Sequence, residues 1–180
     1  MSDEVSEDRV KRWLGEAEGY LDLELYSLAN DRLQDARRAK HWPYECQMLL
    51  GRYHRDQNRY QEGVPCFERA LILKPGDITA TVGLGWCLKR VGKVDVAAQA
   101  YEAALKHHPQ DGLLHYNLAC YQSLLGLSSP ALKSLNKAIK LDDHFRNLAH
   151  DEIDFEPIRE LPQFKKVLSD PKGDESTADA

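Results

Sequence analysis

Three ungapped segments of the chain, residues 44–77, 78–111 and 112–145, align at a period of 34. A period of this length means that one supersecondary unit recurs, each copy burying its apolar seam against the next. Small residues return at the eighth place (Gly51, Gly85, Ala119), the twentieth (Gly63, Ala97, Ala131) and the twenty-seventh (Ala70, Ala104, Ala138), where two helices must approach closely. Large apolar residues return beside them, at the seventh place (Leu50, Leu84, Leu118), the twenty-fourth (Phe67, Tyr101, Leu135) and the twenty-eighth (Leu71, Leu105, Ile139). Pro75 and Pro109 share the thirty-second place, each closing a helix and turning the chain into the next unit. Each unit therefore reads as a helix, a short turn and a second helix. A fourth, weaker copy at 10–43 keeps Trp13, Ala17, Tyr20, Ala29, Leu33 and Ala36 on pattern. It has Glu16 where a leucine is expected, and its proline is displaced from His41 to Pro43. Atypical end copies are expected, because a terminal repeat presents one face to water.

The turn inside each unit falls on Glu24, Asn58, Gly92 and Gly126. Such a turn wants a residue that accepts positive φ, which glycine does freely, asparagine tolerably and glutamate poorly. The first copy is expected to be looser by about 0.5–1 kcal/mol on that account. Ser128 and Ser129 ahead of Pro130 read as an N-cap and a first-turn proline. Pro65 lies beyond the first turn of a helix that starts near Tyr60, and with Gly63 beside it predicts a kink or a late start. Whether that bend shapes a binding surface or is mere drift stays open. Beyond residue 145 the register is lost, yet Ile153, Phe155, Ile158, Leu161, Phe164, Val167 and Leu168 keep an apolar face interrupted by Pro157 and Pro162. Residues 146–170 are expected to cap the open end of the stack, and residues 1–9 and 171–180 to be disordered polar tails.

Composition narrows the function classes. The chain has 180 residues, with 24 Lys plus Arg against 29 Asp plus Glu, a net charge of −5. An acidic balance argues against a nucleic-acid partner. Residues 1–9 hold −3 and residues 171–180 hold −2, so the region 10–170 is neutral and has room for a local basic surface. No stretch approaches the roughly 18 to 20 consecutive apolar residues of a spanning helix, so membrane insertion is not expected. The N-terminus has acids where a secretory signal places bases and then an apolar run. Cys46, Cys66, Cys87 and Cys120 form no CxxC pair and read as reduced thiols, which points to a cytoplasmic location.

The period, the small-residue places, the aromatic at the twenty-fourth place and the closing proline resemble the tetratricopeptide repeat. The resemblance covers residues 10–145, is closest in YQEGVPCFERALILKPGD (60–77) and LLHYNLACYQSLLG (113–126), and extends to the ending at 146–170, which is similar to that of bacterial members. It implies an all-α solenoid of antiparallel helix pairs in a right-handed superhelix, occupying residues 10–170. It also implies a concave groove lined by the first helix of each pair. In members that bind peptides, the second, fifth, ninth, twelfth and thirteenth places face that groove. In the first copy these are Lys11, Leu14, Glu18, Leu21 and Asp22, and in the second Glu45, Met48, Arg52, Arg55 and Asp56. In the third they are Thr79, Val82, Trp86, Lys89 and Arg90, and in the fourth Leu113, Tyr116, Cys120, Ser123 and Leu124.

Arg52, Arg55, Lys89 and Arg90 would hold carboxylates by charge-assisted hydrogen bonds, and Trp86 and Tyr116 would be rigid anchors beside them. Two alternatives stay open: Trp86 faces the groove or packs as core, and the four bases form a clamp or a solvated face with acid partners of their own. The carboxylate clamp of the co-chaperone members is not matched, because the fifth and ninth places hold Leu14 and Glu18, Met48 and Arg52, Val82 and Trp86, and Tyr116 and Cys120.

A search for chemistry yields little. His107 and His108 are adjacent and read as a solvated helix end, and His150, Asp151, Glu152 and Asp154 lack a ligand spacing. Gly83 and Gly85 form a GxG inside a helix with no preceding strand, so no phosphate loop is indicated. Cys87 reads as a buried, inert thiol, and Cys120 as a groove position. No catalytic, cofactor or metal residue is assigned. The expected function is a non-catalytic protein–protein interaction module or adaptor whose groove takes an acidic or amphipathic segment of a protein partner. A type III secretion-like chaperone, suggested by GLGWCLKRVG (83–92), and a homo-oligomeric scaffold are the alternatives.

Overall fold

The computed structural model describes residues 6–38 and 44–169; the expectations for residues 1–5 of the first tail, for the tail at 171–180 and for the displaced proline of the first copy lie outside the described residues. The elements are all helical: α1 (Glu7–Asp22), α2 (Tyr26–Arg37), α3 (Tyr44–Asp56), α4 (Tyr60–Leu73), α5 (Ile78–Arg90), α6 (Val94–His107), α7 (Gly112–Leu124), α8 (Ser128–Leu141), α9 (His144–Asp151), a 3-10 helix (Ile153–Ile158) and α10 (Pro162–Ser169). First helices begin at Tyr44, Ile78 and Gly112, the first place of each copy. Second helices begin at Tyr26, Tyr60, Val94 and Ser128, again one period apart. α1 starts at Glu7, so residues expected as tail are already helical.

Local chemistry sets these boundaries. Asp77 and Asp111, at the last place of their copies, accept the Ala80 N–H at 2.9 Å and the Leu114 N–H at 2.8 Å, capping α5 and α7. Glu24, Asn58, Gly92 and Gly126 all have positive φ, at 57°, 57°, 78° and 73°. At Glu24 the turn is a Schellman motif: Leu25 N–H donates to the Tyr20 carbonyl at 2.8 Å and Glu24 N–H to that of Leu21 at 3.1 Å. The left-handed residue is thus demanded by the turn, and the glutamate complies at a steric cost.

Two expectations at helix starts are corrected. Of the kink or late start expected at Pro65, the late start is corrected, since Gly63 N–H already bonds the Arg59 carbonyl at 3.1 Å and the helix continues past an exposed Pro65. Ser128 and Ser129 do not cap α8, because Leu127 occupies the cap and makes no side-chain bond. Pro130 is a first-turn proline as expected, the third helical residue, where a missing N–H leaves no gap in the ladder.

The chain divides into two compact units, Met1–Gly92 and Lys93–Ala180. In the first, α1 pairs with α2 through fully buried Ala17, Ala29, Leu33 and Ala36. Glu16, where a leucine was expected, is satisfied at the surface by Arg12 at 3.6 Å and Arg32 at 3.7 Å. Between α3, α4 and α5 the knob is Phe67, 2% exposed, whose ring tip abuts Gly51 and Gly83 so closely that a Cβ on either would overlap it. Burying a ring of this size stabilises by about 1.5–3 kcal/mol. Gly83, off the repeated small-residue places, is explained by this contact.

In the second unit, α7 and α8 are tied by a buried hydrogen bond from Ser134 Oγ to Gln122 Oε1 at 2.8 Å. α9, the 3-10 helix and α10 lay Phe145, Phe155, Ile158, Phe164 and Leu168 into the core with Leu135 and Ile139. Ile153, expected on that apolar face, is instead 74% exposed. Two arginines fasten the ending: Arg146 Nη1 donates to the carbonyls of Val167 and Leu168 at 2.8 and 3.0 Å, and Arg159 donates to those of His150 and Glu152.

Candidate functional site

The residues singled out for binding divide into three fates. Arg52 and Arg55 on α3 are already paired within the molecule. Arg52 Nη2 meets Asp22 Oδ1 at 2.7 Å and its Nε meets Asp56 Oδ2 at 3.4 Å, while Arg55 Nη2 meets Asp56 Oδ1 at 2.8 Å. Burial disfavours the Arg52 charge, but the contacts with Asp22 and Asp56 outweigh it and raise its pKa. Two guanidinium groups are thus balanced by two carboxylates, and the expected carboxylate clamp is corrected at these positions. The acids, Asp22 and Asp56, are themselves at groove places.

Tyr116 is corrected as well. It is 6% exposed, stacked on Phe145 at 5.1 Å and edge-on to Phe155 at 5.8 Å, so it is core beneath the chain ending and no open anchor. Cys120, expected at the groove, is also buried. Trp86 and Arg90 on α5 keep their surface. Trp86 is 45% exposed, with the Arg90 guanidinium 5.0 Å from its ring centroid, and Arg90 also lies 6.0 Å from the ring of Tyr60. Lys89, one residue before Arg90, is half-buried.

A cleft of about 720 Å³ opens between α1, α3 and the start of α5. It is lined at groove places of three successive copies: Lys11, Leu14 and Glu18, then Glu45 and Met48, then Thr79. Val10, Leu14 and Leu49 make a buried apolar floor, and Met48 is half-buried between them. Around the mouth, Glu7 pairs with Lys11 at 3.4 Å and Glu45 with Lys74 at 3.8 Å. Lys74 Nζ also sits 3.7 Å from the ring centroid of Tyr44, whose phenol pKa is pushed up by burial and by a hydrogen bond with Asp77. Lys11, Leu14, Glu18, Glu45, Met48 and Thr79 occupy groove places, whereas Val10 and Leu49 do not and only their apolar character marks them.

The model of the tetratricopeptide repeat matches residues 14–78, 48–90 and 82–143. The chain belongs to the tetratricopeptide repeat family. Among solved structures, this repeat protein is similar to YrrB, a TPR protein described as having an unusual peptide-binding site, with 24% identity, 79% of this chain and 75% of that one covered, and a TM-score of 0.68. It is also similar to MamA of Desulfovibrio magneticus RS-1, with 20% identity, 91% and 96% covered, and a TM-score of 0.69. A curated relative, the peroxisomal targeting signal receptor of Candida glabrata, is 28% identical over 99 residues, which is 55% of this chain and 17% of that protein. The chain therefore spans about a sixth of that relative's length.

The repeat units hold their reactive groups in quiet states. Burial pushes the Cys46 and Cys87 thiols up to about 11, and raises that of Cys66, so the nucleophilic thiolate is suppressed at neutral pH. Cys66 Sγ donates to the Glu62 carbonyl at 3.4 Å. Burial, then Arg59, lowers the His54 imidazole and keeps it neutral. Among the described residues, no group of three or more His, Cys, Asp or Glu is placed to hold a metal ion, and no helix is long and apolar enough to cross a membrane. Glu152, in the acidic run near the chain ending, bonds the Asp154 N–H at 3.2 Å and so starts the 3-10 helix. What this repeat surface offers is shape, apolar area and paired charge, the chemistry of recognition.

Proposed function

We propose that this protein is a non-catalytic interaction module that takes an amphipathic segment of a protein partner in the cleft between α1 and α3. The repeat fold is a protein-interaction fold, and YrrB, similar in fold, is described with a peptide-binding site. The carrying observation is the cleft itself: an apolar floor of Val10, Leu14 and Leu49, flanked by Met48, with charged residues at its mouth. Such a shape suits one or two apolar side chains of a segment whose polar side stays in water. Met48 supports adaptability, since its flexible thioether fits varied anchors. Trp86, exposed and with the Arg90 guanidinium over its ring, offers a further aromatic contact on α5. A purely acidic ligand is disfavoured, because Arg52 and Arg55 already have their carboxylates.

The test is selection of a random peptide library on the immobilised protein, followed by anisotropy titration of the enriched peptides. Apolar-anchored peptides should emerge and lose about tenfold or more in affinity against Met48→Glu, which places a charge on the cleft wall. Peptides that bind wild type and Met48→Glu equally would refute the cleft as the binding surface.

A further inference from the structure

A second cleft, of about 450 Å³, opens in the other unit where α6, α7 and α8 meet. Its floor is apolar, formed by Leu105 of α6, Pro109 of the following turn and the buried Leu118 of α7. Its rim is cationic. Lys133, Lys137 and Lys140 stand at i, i+4 and i+7 of α8, on one helix face, and among the described residues no carboxylate lines the cleft. Gln110 Oε1 accepts from Lys137 Nζ at 2.8 Å, which steadies the ammonium without neutralising it. Like charges at this spacing repel one another along the helix, so the row is an arrangement that helix stability alone does not favour. It contrasts with the first unit, where Arg52 and Arg55 are matched by Asp22 and Asp56.

We propose that this cleft docks an acidic amphipathic segment of a partner protein. The apolar side chains of the segment lie on Leu105, Pro109 and Leu118, and its carboxylates meet Lys133, Lys137 and Lys140. Charge complementarity together with the floor selects this occupant. A nucleic-acid strand would match the lysines but leave the apolar floor unused, and among the described residues no Phe, Tyr or Trp lines the cleft for a base to stack on. The imidazole of His115 is engaged by the Pro109 carbonyl at 3.0 Å. Docking here uses none of the residues of the α1–α3 cleft, so it stands or falls independently of that reading.

The experiment uses the full chain and three labelled probes in fluorescence anisotropy: a synthetic helix of about 16 residues with leucines on one face and glutamates elsewhere, the same helix with lysines for glutamates, and a poly-U oligonucleotide. The glutamate helix should bind, more weakly as salt rises, and the triple variant Lys133→Gln/Lys137→Gln/Lys140→Gln should weaken it by about tenfold or more. The single variant Lys133→Glu should weaken the glutamate helix and strengthen the lysine helix; circular dichroism verifies that both variants are folded. The proposal is overturned if the glutamate helix does not bind, if it binds the folded triple variant as well as wild type, or if the lysine helix or the oligonucleotide binds wild type at least as tightly.

Discussion

Replacing Gly83 by alanine sets local propensity against packing, and the two predict opposite signs. Gly83 lies in the middle of α5, where alanine is favoured over glycine by about 0.5–1 kcal/mol. A helix considered alone would gain stability. In the fold, a Cβ at this position would stand 2.5 Å from both Cε1 and Cζ of Phe67. That is about 1 Å inside the contact distance carbon atoms prefer. The ring tip has little room to retreat, because it also lies close against the Gly51 backbone and the side chain is almost wholly enclosed. Overpacking of this kind costs about 1–3 kcal/mol, so subtracting the propensity gain leaves a net loss of up to about 2.5 kcal/mol. For a chain of this size each kcal/mol lowers Tm by about 2–4 °C.

Urea and thermal unfolding followed by circular dichroism measure it, with Gly19→Ala as the control. Gly19 is helical and exposed with no atom within 4 Å of its Cβ position, so alanine there should stabilise by about 0.5–1 kcal/mol. Adding Phe67→Leu to Gly83→Ala should relieve part of the overlap, a non-additivity that a double-mutant cycle reads directly. If Gly83→Ala raises stability as the control does, the wedged-ring account is wrong.

Two further outcomes follow from the backbone and from buried thiols. Glu24→Gly should raise the urea midpoint by the equivalent of about 0.5–1 kcal/mol, since glutamate there holds φ at 57° and glycine accepts that angle freely; an unchanged or lower midpoint would show the turn is unstrained. Alkaline pH should weaken the fold: the Cys46 and Cys87 thiols sit at about 11 when folded against an ordinary 9.0, so the native state prefers the neutral form. Their contribution is intact below about 9, where both states are protonated, and drains away as pH rises towards 11 and the unfolded chain ionises first. Lysines and tyrosines also titrate in that window, so the measurement is the difference between wild type and Cys87→Ala. Parallel profiles for the two proteins would discard the thiol contribution.

Much of the backbone was legible in the residues. The period alone placed the starts of α3, α5 and α7, because a proline or a capping aspartate and a turn residue act on their immediate neighbours. The need for positive φ at Glu24, Asn58, Gly92 and Gly126 was equally readable, even where the residue was ill suited to it. Errors came where a short-range rule met a competing neighbour. Ser128 and Ser129 lost the cap to the turn that ends at Leu127, and Pro65 was absorbed by a helix already begun at Tyr60.

Side-chain partnership was decided in three dimensions. Nothing in the spacing says that Arg52 meets Asp22, thirty positions earlier, or that Phe145 and Phe155 close over Tyr116. Gly83 looked incidental until the ring of Phe67 arrived from the preceding helix. The amino-acid sequence by itself therefore determined which segments are helical, where they turn and which faces are apolar, since those depend on local sterics and on a periodic pattern. Only the tertiary structure decided which charges are cancelled, which aromatic rings are covered and where open clefts remain, because these depend on groups brought together from distant parts of the chain.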